Sequence, residues 1–170
     1  MKIALYISSF ALLTAIFVSC FKIESLPPEP EISFKYFTLT NDVDELGNQA
    51  LKGELCISFV DGDGDIGFKE ISDTAMAESI KSVFVKKLKK IEESFQEVNL
   101  SVPMTYWIPF FETSGNNPSL RGDIIVHDIN FYPPYETDTI KFTIYIKDRA
   151  GNKSNIVETP EFVPIDSLIN

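Results

Sequence analysis

The chain has 170 residues and carries 25 acidic against 15 basic side chains, a formal net charge of −10. That charge repels nucleic acid phosphates and anionic lipid surfaces, so neither is an expected partner, and cations or cationic surfaces fit better. Only one histidine is present, which excludes a metal site built on a histidine pair.

The first twenty residues read as an export signal. Lys2 makes the start positive, and Ile3 to Val18 form an apolar run interrupted by Ser8, Ser9 and Thr14. Val18-Ser19-Cys20 then sets a small residue before a cysteine. The run is shorter than the ~20 residues a bilayer span needs. The arrangement resembles the lipobox of bacterial lipoproteins, with Phe17 where leucine is commonest. The resemblance implies cleavage before Cys20, acylation of its thiol by diacylglycerol and palmitate, and an outer-membrane location in the cell envelope, facing either periplasm or surface. Removal of residues 1–19 leaves 151 residues, enough for one domain with its own core. With Cys20 acylated, Cys56 is the remaining thiol and no internal disulfide can form.

Residues 20–31 hold the cysteine and a tether. Pro27, Pro28 and Pro30, mixed with Lys22, Glu24, Glu29 and Glu31, favour an extended segment that cannot pack. The folded domain is expected over residues 32–165. Its first strand is read at Ile32–Phe37, where apolar and polar residues alternate, and the same period appears at Ile140–Lys147. Leu55–Val60, Leu120–Ile129 and Asn155–Val163 also read as strands. Turn formers punctuate them at Asn41-Asp42, Gly47-Asn48, Gly115 to Pro118, Pro133-Pro134 and Gly151-Asn152. Such spacing predicts an all-β antiparallel sandwich.

Directly after the strand at 55–60 comes Asp61-Gly62-Asp63-Gly64-Asp65-Ile66-Gly67. Aspartates at alternate positions, with glycines that let the backbone curl, gather three carboxylates on one side of a loop. Like charges this close repel unless a cation sits among them. Oxygen ligands without histidine or cysteine point to Ca²⁺ as a structural ion. The loop departs from an EF-hand at Ile66, where that motif needs glycine, and at Ser72, where it needs glutamate. Glu70 or Asp73, with a backbone carbonyl near Gly67, would complete the shell. An Asp/Gly turn that only caps neighbouring amides is the plainer reading.

Residues 76–98 fit two descriptions. Met76, Ile80, Phe84, Leu88, Ile91, Phe95 and Val98 have helical spacing. The alternative pairs Ser82–Leu88 with Phe95–Leu100 through a turn at Glu92-Glu93-Ser94, and the hairpin is taken here. Tyr106-Trp107-Ile108-Pro109-Phe110-Phe111 reads as core with prolines at strand ends, or as a sugar or protein platform if exposed. Cys56 reads as a small core hydrophobe and His127 as a solvent-facing strand residue, with no motif joining them. Arg121-Gly122-Asp123 is read as a turn and not as an adhesion tripeptide.

Three stretches together resemble a family: residues 59–67, residues 120–124, and Asp138-Thr139-Ile140 through Asp148-Arg149-Ala150-Gly151-Asn152-Lys153-Ser154-Asn155. They are similar to small Bacteroidetes lipoproteins with one β-sandwich domain behind a lipobox. The last stretch also resembles the final hairpin of bacterial immunoglobulin-like domains. The resemblance implies a fold and a location and names no activity. The expected function is a non-enzymatic, lipid-anchored binding or assembly module with an envelope protein or glycan partner. The rivals are an envelope hydrolase using the acidic loop and a carbohydrate-binding accessory lipoprotein. Against the hydrolase, the chain has no G-x-S-x-G and no phosphate loop.

Overall fold

A computed structural model describes residues 26–69, 80–112 and 119–165, with the backbone alone at Asp128. The expectations for the signal peptide, Cys20, Glu70 and Asp73 lie outside the described residues. Among the described residues eight strands follow in chain order: β1 Glu31–Val43, β2 Gln49–Asp61, β3 Lys81–Ile91, β4 Ser94–Glu97, β5 Met104–Trp107, β6 Leu120–Phe131, β7 Ile140–Ile146 and β8 Val157–Glu158.

They form two antiparallel sheets. One is β1-β2-β6, and the other runs β4-β3-β7-β8 with β5 also paired to β3. The chain is all-β, and the sheets enclose one core. Ile32, Leu55, Ile57, Phe59, Val126 and Ile129 come from the first sheet, and Val83, Val85, Ile140, Phe142, Ile144 and Ile146 from the second. Alternation explains this economically. In β7 every odd-placed apolar residue from Ile140 to Ile146 is buried, while Lys141, Thr143 and Tyr145 stand on the outer face. Burying an Ile or Phe of this kind stabilises by about 1.5–3 kcal/mol each. Phe37, Phe131, Phe142 and Phe162 close one end as an aromatic cluster with centroids 4.8–6.5 Å apart.

Residues 81–97 adopt the hairpin, with Ile91 opposite Ser94 and Leu88 opposite Glu97. Several expectations need correction. Asn41-Asp42 lies inside β1, and the turn falls at residues 44–47, where Asp44 Oδ1 accepts the amides of Leu46 and Asn48. Arg121-Gly122-Asp123 is not a turn, because it pairs with Val60, Phe59 and Ser58 within β6. Of Asn155–Val163 only Val157–Glu158 is a strand, with an isolated bridge from Phe162 to Ile140. Pro160 has no amide to donate, so the ladder stops there. The proline-rich segment also packs at its end. Pro30 is buried, and the carbonyls of Leu26 and Pro27 lie against Gly62, where an added Cβ would meet them at 2.6 and 2.1 Å.

Candidate metal centre

Asp61 is the last residue of β2 and shares the inward phase of Leu55, Ile57 and Phe59, so its carboxylate enters the domain and is 0 % exposed. The chain then turns. Gly64 and Gly67 take positive φ values of 66° and 83°, a region L side chains avoid. At Gly67 a Cβ would also lie 2.2 Å from the Pro109 carbonyl, so glycine is required twice over. This curl brings one oxygen each from Asp61, Asp63 and Asp65 within 4.8 Å of one another, a group that could hold a metal ion.

The carboxylates are held from two sides. Asp61 Oδ2 accepts the Ile66 amide at 3.0 Å, and Asp65 Oδ2 accepts the Ala150 amide at 3.0 Å. Their second oxygens, Asp61 Oδ1 and Asp65 Oδ1, are buried and have no hydrogen-bond partner among the described residues. A buried carboxylate oxygen left without a donor is costly, and most such groups in folded proteins are satisfied. Burial pushes the Asp61 carboxyl up to about 6, aided by the charges of Asp63, Asp65 and Asp148 and opposed by the Ile66 amide. Asp65 is raised as well, first by burial and then by Asp148 and Asp63.

The hairpin after β7 supplies a support that reading the loop alone did not find. Asp148 is buried and accepts the Asn152 amide at 2.7 Å and Asn152 Nδ2 at 2.8 Å, which fixes the turn. Arg149 then reaches across. Its amide donates to the Asp65 carbonyl at 3.3 Å, and its guanidinium Nη1 donates to the carbonyls of Ile66 at 3.3 Å and Gly67 at 2.8 Å. Arg149 also lies over the Phe110 ring at 5.0 Å, as does Lys69. The aromatic stretch contributes structure here: Trp107 Nε1 donates to the Phe68 carbonyl at 2.9 Å and the Phe68 amide to the Ile108 carbonyl at 2.9 Å. Thus two of the stretches that carried the resemblance, 59–67 and 148–155, meet at one end of the sandwich.

The other singled-out residues lie on the outer face of the first sheet. Cys56 is buried there, with burial raising its thiol and Tyr36 beside it. His127 does not meet it and pairs with Glu54 instead, Nδ1 to Oε2 at 3.2 Å. Comparisons with protein-family models, with curated proteins and with solved structures return no match.

Proposed function

We propose that this chain is a lipid-anchored, non-enzymatic binding or assembly module of the cell envelope, and that Asp61, Asp63 and Asp65 hold a structural Ca²⁺. The observation that carries the metal is the pair of buried, unpartnered oxygens, Asp61 Oδ1 and Asp65 Oδ1, beside the third carboxylate. Three anionic oxygens with no nitrogen or sulfur suit a hard cation, and Ca²⁺ tolerates the irregular geometry of a loop. Glu70 or Asp73 and a backbone carbonyl near Gly67 remain the proposed completing ligands, the Gly67 carbonyl itself being held by Arg149. The all-β sandwich supports a module that presents surfaces, and the Asp148–Asn152 turn resembles the final hairpin turn of bacterial immunoglobulin-like domains.

Because the ion would bind the folded loop and not the unfolded chain, stability rises with its concentration by RT ln(1 + [L]/Kd), or ~2.7 kcal/mol at a hundredfold excess. Thermal melts in EGTA and in roughly 5 mM CaCl₂ test it. The expected result is a higher Tm with Ca²⁺ in wild type and none of that rise in Asp63→Asn. Equal melting temperatures in wild type would reduce the loop to a plain turn. Assays of the chain against glycoside, ester and peptide substrates should stay at background, and turnover abolished by Asp63→Asn would establish a hydrolase instead.

A further inference from the structure

The outer face of the β1-β2-β6 sheet holds a cavity of about 610 Å³, lined among others by Thr40, Lys52, Glu54, His127, Asn130 and Tyr132. Its size falls within the ~300–1,000 Å³ of small-molecule sites. It is shaped by a defect in pairing. Val126 opposes Leu55 and Ile129 opposes Gly53, so His127 and Asp128 together face Glu54 alone. A β-bulge of this kind re-aims side chains and recurs beside binding sites. Here it brings the His127 ring to Glu54 at 3.2 Å, while Tyr36 donates its hydroxyl to the other Glu54 oxygen at 2.7 Å. Glu54 is therefore fixed from both sides.

Of the other charges around the cavity, Lys52 and Asp44 are taken, while the exposed Glu45 carboxylate has no hydrogen-bond or ion-pair partner among the described residues. Lys52 pairs with Asp42 at 2.8 Å, and Asp44 accepts Asn48 Nδ2 at 2.9 Å and the amides of Leu46 and Asn48. Besides Glu45, what faces the space without a side-chain hydrogen bond among the described residues is the Thr40 hydroxyl, His127 Nε2 and the Asn130 carboxamide. Tyr132, 48 % exposed, borders them with a ring. These donors and acceptors, with the Glu45 carboxylate as a further acceptor, beside an exposed aromatic ring match hydroxyl groups on an apolar carbon skeleton.

We propose that this cavity binds a neutral saccharide, with Thr40, His127 and Asn130 bonding hydroxyls and Tyr132 covering a carbohydrate C–H face. The site deepens the binding-module reading and rests on it. An anionic ligand fits less well, because Asp44, Glu45 and Glu54 line the cavity and Lys52 is already paired with Asp42.

The test is a glycan array of neutral and acidic oligosaccharides probed with the full chain in detergent, followed by calorimetric titration of the strongest binder. Binding to neutral members is expected, weakened about tenfold in Kd by Asn130→Ala and by His127→Ala and unchanged by Lys86→Ala on the opposite sheet. Both substituted side chains are exposed, and thermal melts check that each variant folds. No binding, binding confined to acidic glycans, or binding that the Asn130→Ala/His127→Ala double variant retains would overturn the proposal. The calcium melt reports on the acidic loop alone, so loss of the saccharide site leaves that result standing. Capture of an envelope protein without any glycan would keep the module and discard the sugar.

Discussion

Asn155 pairs with the backbone of Ile32 as a neighbouring strand would, its Oδ1 accepting the Ile32 amide at 2.8 Å and its Nδ2 donating to the Ile32 carbonyl at 2.9 Å. Ile32 begins the buried phase of β1, whose only strand partner among the described residues is β2. A side chain from beyond β7 thus closes the open edge of one sheet and ties it to the other.

Replacing that carboxamide tests the tie. Asn155→Ala removes both bonds and should cost about 1–2 kcal/mol, since each is worth ~1 kcal/mol net. Asn155→Asp keeps the acceptor and sets a carboxylate against the Ile32 carbonyl, so it should cost at least as much. Urea unfolding of the three chains checks the order, and an unchanged midpoint in Asn155→Ala would show that water replaces the amide at no loss.

Arg149 holds the acidic loop through two backbone carbonyls. Arg149→Met keeps the aliphatic bulk and loses the donors, a cost of about 1–2 kcal/mol at this exposed position. The fall in Tm should be larger in EGTA than in CaCl₂, because a bound ion restrains the loop independently. Equal losses in both buffers would separate the arginine from the metal.

Gly62 leaves no room for a side chain beneath Leu26 and Pro27. Gly62→Ala should displace that segment and destabilise by about 1–3 kcal/mol, the usual range for overpacking. Hydrogen exchange should quicken at residues 26 and 29 while the paired amides of β2 and β6 stay protected.

Tyr36 supplies a pH test. Its hydrogen bond to Glu54, with burial and the Glu54 charge adding, pushes the phenol up to about 12 from an ordinary 10. The folded state holds this proton more tightly than the unfolded chain does. Its contribution to stability is therefore complete below pH ~10 and lost as pH rises through about 12. Ultraviolet titration should find one late-ionising tyrosine, and Glu54→Gln should bring it back toward the others.

Lipidation is tested on Cys20. Cys20→Ala should leave unprocessed precursor without an acyl chain, detected by mass and by metabolic labelling with a fatty acid. A variant still cleaved and acylated would refute the lipobox reading.

Much of this architecture was readable because antiparallel strands with one face in the core must alternate, as residues 140–146 do. At 32–37 a bulge between Phe34 and Tyr36 breaks the period, turning Tyr36 outward and bringing Phe37 to the core. The carboxylates of the loop were readable for a different reason: Asp61, Asp63 and Asp65 are neighbours in sequence. Arg149 and Ala150 were not, since their place beside Asp65 depends on β2 and β7 ending at the same end of the sandwich. β5 escaped because four residues between Pro103 and Pro109 are too few to show a period. The cavity was hidden too. Whether His127 faces Glu54 is a property of register, fixed by a bulge that no local pattern at 120–129 announces.

Leu26 and Pro27 resting on Gly62 shorten the leash. If Cys20 is acylated as proposed, the stretch from it to Leu26 spans at most about 20 Å, so the Asp61 end of β2 faces the headgroups. Glu54 lies seven residues back along the same strand, about 23 Å away at ~3.3 Å per residue. The domain would then stand on its acidic loop like a lamp on its base, with the cavity beside Glu54 held toward the far pole, clear of the bilayer.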